Sequence, residues 1–330
     1  MAAVNKSAIE RSSEAWRNTL TRAGAEGGFY REVGPQHKAV FIRKGPILVV
    51  SFDNLDDIRQ KSDRLPWGVE FATSKGWSTL GLLAHGPTWY RDEAVFDFFE
   101  SLAKDGFFKQ FEKVVFYGTS MGGYAACAFS AVVPGSTVIA VNPQATLNRE
   151  VASWEQRFRL AWRKDFNSRY GFAPDMIKTA ERVFLFYNPT LMADAMHAAL
   201  FRGAQVTKIK CRYMGHGILS VWQNMGVLGK IITGCVGGTL DRVGIYKLLR
   251  ARKHSTLYQK MLLNHLVATR QHALTITYCN AIMSKQFRPH FRNARQNALQ
   301  ALKSQSATPV ARKAAKPTPD ASNPPSAATT

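Results

Sequence analysis

The stretch "KVVFYGTSMGGYAACAF", Lys113 to Phe129, carries the side chain best placed to do chemistry. An apolar run ends in Gly118-Thr119-Ser120-Met121-Gly122 and passes into a small-residue segment of helical character. A strand, a sharp turn and a helix in that order present a serine hydroxyl at a sheet edge, its strained backbone tolerated because the neighbours are glycine. The pentapeptide alone is a weak signal, and a plain glycine-rich turn would read the same way. Its context between strand and helix strengthens it. A serine hydroxyl is a poor nucleophile until an imidazole takes its proton. Ser120 therefore needs a base, an acid to orient that base, and donors for an oxyanion.

This strand–elbow–helix unit resembles that of the α/β-hydrolase superfamily, and the similarity runs from about Ala39 to Trp222. The resemblance implies the chain order serine, acid, histidine. In "RVFLFYNPTLMADAMHAALF" it places Asp194 in the loop after an apolar run, just before a helix. In "TKIKCRYMGHGIL" it places His216 in a Gly-His-Gly turn after the final strand. It further implies an oxyanion pocket from the amide of Met121 and an amide at the end of the "ILVVSF" strand, that of Phe52 or Asp53. Asp194 could instead cap the helix that follows, leaving Asp57, Asp53 or Asp175 to orient the base. His197 reads as a helix-face residue. His85 and Trp89, in "AHGPTWYRD", end a strand on the same sheet edge and are candidates to line the pocket. The loop text "SFDNLDD" departs from the glycine-rich run many esterases carry there.

The phrases "GWSTLGLLAHGPTWYRD", "FYG…GGYAACAFS" and "VNPQATL" also resemble a little-characterised bacterial group sometimes labelled phosphoadenosine phosphosulfate reductase. The chain has neither the S-G-G-x-D-S phosphate loop nor the C-terminal redox cysteine which that label requires.

The surrounding pattern must position these residues. "PILVVSFDN", "GWSTLGLLAHG", "KVVFYG", "STVIAVNP" and "RVFLFYNP" are apolar runs, as strands buried on both faces require. Helical segments alternate with them from Pro46 to His216, including a charged region from about Arg149 to Arg182. The expected fold is α/β, a mostly parallel, doubly wound sheet of α/β-hydrolase type, with a C-terminal helical appendage and a disordered tail. The expected domains are an N-terminal helix over 1–27, with its helix from about Lys6 to Ala23, an α/β-hydrolase-like domain over 28–228, a basic helical appendage over 229–303 and the tail over 304–330. That tail is rich in Ala, Pro, Ser and Thr and lacks the apolar side chains a core needs.

Of the net charge of +21, a surplus of 14 comes from Lys230 onward, where 16 Lys/Arg face two acids. Such a block attracts an anionic surface, be it membrane, polyanion or protein. The polar N-terminus, the lack of a 20-residue apolar run and four scattered cysteines point to a reduced, cytoplasmic protein. No metal spacing or cofactor motif is present, so no cofactor is expected. Two functions fit. One is a serine hydrolase or acyltransferase acting on a small ester, thioester or acylated glycan through Ser120, His216 and Asp194. The other is a non-catalytic module of the same fold that docks through its basic helices.

Overall fold

The structure, a computed structural model, describes residues 16–25, 27–54, 65, 66 and 68–307. Helix α1 occupies residues 16–25; the remainder of the expected N-terminal helix, and Asp57, lie outside the described residues. Eight strands form one sheet: β1 (Phe29–Val33), β2 (His37–Ile42), β3 (Ile47–Asn54), β4 (Ser78–Ala84), β5 (Lys113–Thr119), β6 (Thr137–Val141), β7 (Arg182–Tyr187) and β8 (Val206–Lys210). Their order is β1-β2-β4-β3-β5-β6-β7-β8. β1, β2 and β4 pair antiparallel, and every pairing from β4 to β8 is parallel. The fold is thus a mostly parallel α/β sheet, as the apolar runs imply.

Alternation along each strand feeds two cores. In β5, Val114 and Phe116 join one buried cluster while Val115 and Tyr117 join the other. The first is covered by α3 (Glu93–Lys104) and α4 (Met121–Phe129), after the short α2 (Val69–Ser74). Asp92 caps α3 by accepting from the Ala94 amide, 3.0 Å away. The region 149–182 differs from the helical expectation. It holds two single-turn α-helices, α5 (Arg149–Ala152) and α6 (Ala173–Met176), and two short 3₁₀ helices, Arg159–Arg163 and Ile177–Thr179. Local chemistry explains the difference: Asp165 Oδ1 accepts from the amides of Asn167 and Ser168, an Asx turn that competes with helix.

After α7 (Met192–Leu200) and β8, the second cluster is covered by α8 (Ile218–Asn224), α9 (Leu228–Val236) and α10 (Arg242–Leu249). Ile231, Ile232, Ile245 and Leu249 are all buried there. Full burial of each is worth about 1.5–3 kcal/mol, more than helix propensity supplies to segments this short, so α9 and α10 exist because the sheet does. The first compact unit accordingly extends through Leu262, and the second begins at Leu263, within α11 (Thr256–Ala268). The second unit continues through α12 (His272–Met283) and α13 (Pro289–Ala307), and its core is a small cluster of Leu263, Cys279 and Phe291. α13 takes in residues 304–307, and the rest of the expected tail lies outside the described residues.

Reversal of the chain between β3 and β5 makes their shared carboxyl edge the topological switch point, the usual ligand side of such a sheet. Ser120 sits there. The approach of α4 to this edge is close. A Cβ on Gly118 would stand 2.0 Å from the Gly122 carbonyl oxygen, whereas one on Gly217, at ordinary φ, meets nothing within 4 Å. Gly118→Ala is expected to destabilise by at least about 3 kcal/mol or abolish folding, and Gly217→Ala to stay within about 0.5 kcal/mol of the parent. Urea unfolding of both variants checks the contrast; equal effects would contradict the packing described.

Candidate functional site

Ser120 has φ 51° and ψ −120°, a conformation costly to an L-residue. It is held at both ends: its amide donates to Val141 O of β6 at 2.8 Å, and its carbonyl accepts from Tyr124 at 2.9 Å. This forces the side chain out at the sheet edge, half-buried. His216, in the turn after β8, places Nε2 2.9 Å from Ser120 Oγ. Its other ring nitrogen, Nδ1, lies 3.0 Å from Asp194 Oδ2 and 3.2 Å from Oδ1. With Nδ1–H donating to a carboxylate, Nε2 is the acceptor and the serine hydroxyl the donor. The side chain of His216 is 34% exposed and that of Asp194 fully buried.

Asp194 is the third residue of α7 rather than a loop residue ahead of it, and the helix has no side-chain cap from it. The alternatives stand elsewhere. Asp175 is on α6, paired with Lys178, and the Asp53 carbonyl accepts from the Tyr90 hydroxyl.

Sequence reasoning missed what surrounds the aspartate. Arg157 Nη1 donates to Asp194 Oδ1 at 2.7 Å and Nη2 to Glu155 Oε2 at 2.6 Å. Glu155 is fully buried and also lies 3.2 Å from His197 Nε2. Ala145 N–H donates to His197 Nδ1, so Nε2 carries the proton and His197 is a neutral donor to Glu155. Burial lowers the His197 pKa and so reinforces that state. For Glu155 burial acts to raise the pKa, but hydrogen bonds from His197 and Arg157 prevail and hold it at about 2. The four side chains form one network behind the imidazole, with two carboxylates and one guanidinium.

Two asparagines hang the His216 turn from the sheet. Asn142 Nδ2 donates to His216 O at 2.6 Å, and Asn188 Oδ1 accepts from the Tyr213 amide at 3.2 Å. The available signal was the repeated Asn-Pro that ends both β6 and β7, Asn142-Pro143 and Asn188-Pro189.

The two amides named from sequence, those of Phe52 and Asp53, stand at the end of β3. Phe52 is still in register with Gly118 of β5, and its carbonyl oxygen faces Gly122 of α4. The Asp53 carbonyl points to Tyr90 on the β4 side, and a strand residue's N–H points the same way as its C=O. Met121 N–H is the first amide of α4 and has no acceptor within the helix by position.

Trp89 is buried, donates its amide to Met121 Sδ at 3.2 Å and packs its ring against Tyr124, Phe158 and Phe166. It supports the elbow from beneath. His85 has an exposed side chain, and its amide is bonded to Gln36 O. Among the described residues no group of three His, Cys, Asp or Glu is placed to hold a metal ion, and no helix is long and apolar enough to cross a membrane.

No protein-family model matches the chain, and no curated protein matches it in sequence. Solved structures do show likeness. A glycosylation-associated protein complex (Gap123) from Streptococcus agalactiae aligns over 61% of this chain and 45% of that one, less than half its length, at 16% identity and TM-score 0.41. The capsule O-acetyltransferase of Neisseria meningitidis serogroup A aligns over 66% and 99% at 11% identity and TM-score 0.41. Est1E from Butyrivibrio proteoclasticus aligns over 63% and 98% at 9% identity and TM-score 0.37.

The Glu155 network has a signed pH dependence. A carboxyl whose folded pKa falls from 4.5 to about 2 stabilises the fold above pH 4.5, and the contribution is lost as pH drops toward 2. Glu155→Gln is expected to cost about 3 kcal/mol at pH 7. Urea unfolding should show the gap from wild type narrowing between pH 4.5 and the lowest pH tolerated; a constant gap would exclude the ionised, hydrogen-bonded carboxylate.

Proposed function

We propose that this chain is a serine hydrolase or acyltransferase acting on a small ester, thioester or acylated glycan. The observation that carries this reading is the continuous hydrogen-bonded chain Ser120 Oγ–His216–Asp194 at 2.9 and 3.0 Å. Ser120 Oγ attacks the acyl carbon as its proton passes to His216 Nε2. Asp194 keeps Nδ1–H oriented and balances the imidazolium that forms. The imidazolium then protonates the leaving group, and an acyl-Ser120 ester remains. Water or an acceptor hydroxyl repeats the steps in reverse, with His216 as base again. The negative charge on the tetrahedral oxygen falls to the Met121 amide and to an amide at the end of β3; losing one such donor costs about 10²–10³ in rate. The reading includes a cytoplasmic location, for which four buried, unpaired thiols are the support.

Labelling of the purified protein with a fluorophosphonate probe tests it. Wild type is expected to label, Ser120→Ala and His216→Ala not at all, and Asp194→Asn about 10²–10⁴ times more slowly. Folded wild type that does not react would overturn the assignment.

A second reading, docking on an anionic surface with or without catalysis, rests on one observation. From Leu263 to Pro319 the chain contains no Asp or Glu. Binding to vesicles rich in anionic lipid should then fall steeply between low and moderate salt; binding flat across that range sinks the idea.

A further inference from the structure

A cavity of about 300 Å³ opens in the first unit, bounded by the end of β8, the turn that follows it, α10 and the start of α11. Its floor is apolar, made by Met214 and Leu249, both buried. Three cations, Lys210, Arg212 and Arg252, line it together with three tyrosines, Tyr213, Tyr246 and Tyr258, and no carboxylate does. A fourth cation, Arg242, stands 5.9 Å over the Tyr246 ring. Asp241, next to Arg242, is outside the lining and accepts from the Gly244 amide as the cap of α10. Among the described residues none of these four cations is ion-paired with a carboxylate.

The donors are partly pre-set. The Lys210 amide donates to the Tyr246 hydroxyl at 2.9 Å, which occupies a lone pair and leaves the hydroxyl proton to be given elsewhere. Arg252 is half-buried; an Nη1 bond to Leu249 O at 2.9 Å and a side-chain bond to Tyr258 fix the guanidinium, whose five N–H groups exceed these two acceptors. Burial keeps the Tyr258 hydroxyl protonated by raising its pKa.

Like charges gathered on one cavity repel one another unless an anion joins them. A carboxylate offers one charge and two oxygens; a phosphate offers up to two charges and three oxygens, and the guanidinium fork matches it in two-point contact. The volume lies at the small end of ligand sites, and the tyrosine walls suit an organic group of modest size. We propose that this cavity binds the phosphate of a small soluble phosphate ester. The inference does not depend on the acyl-transfer reading, although the turn that supplies Tyr213 and Met214 also carries His216.

Isothermal titration of the full chain at fixed moderate ionic strength tests it, with glycerol 3-phosphate and pyrophosphate as probes and acetate as the carboxylate control. One-site, saturable binding of at least one phosphate probe is expected, with acetate at least tenfold weaker. Arg212→Gln, which removes an exposed side chain and should leave folding intact, and Arg212→Gln/Arg252→Gln should each weaken that binding tenfold or more. The control pair Lys104→Gln/Arg163→Gln, which removes equal charge elsewhere on the unit, should bind as wild type does. Three results overturn the proposal: no saturable binding of either probe, equal loss in the control pair (attraction to net charge alone), or binding only to anionic phospholipid vesicles.

Discussion

A Cβ on Gly122 would stand 2.4 Å from the Phe52 carbonyl oxygen, and one on Gly118 still closer to Gly122. No side chain larger than hydrogen fits at either place, so the start of α4 lies directly on the ends of β3 and β5. That contact turns Ser120 into its strained conformation and holds it there with the bond to β6. The strain is sustained because the two flanking cores are extensive and the strands cannot yield. Loosening the helix by one methyl group would release the serine, and every distance at the site would change with it.

The second constraint is charge balance behind the imidazole. Asp194 is fully buried, yet it touches water-accessible chemistry only through His216. Arg157 neutralises part of its charge and shares the rest of its own with Glu155, which a neutral His197 also satisfies. Two donors converge on Asp194, His216 Nδ1–H and Arg157 Nη1.

Much of this was legible in the chain. Ser120 announced itself by its glycines and by the strand before it, and Asp194 and His216 by where they follow later strands. The parallel sheet was legible because strands buried on both faces are apolar throughout, a pattern that survives without any contact being known. What escaped was anything set by pairing across space. Arg157 and Glu155 lie in a charged stretch that reads as a helix, and only the fold shows that their side chains meet beneath α7. Which amides at the end of β3 face α4 depends on strand phase, which a one-residue shift reverses. Helices α9 and α10 looked detachable because their apolar faces are ordinary for amphipathic helices; the sheet surface they cover is invisible in sequence.

Asn142 and Asn188 grip the His216 turn through main-chain atoms only, one carbonyl and one amide. The side chains between those grips are therefore free of the task of placing the imidazole. The exposed Arg212, just ahead of the first grip, can change without disturbing either main-chain anchor of the imidazole. The position of the imidazole is thus decoupled from the chemistry of the side chain that precedes its turn.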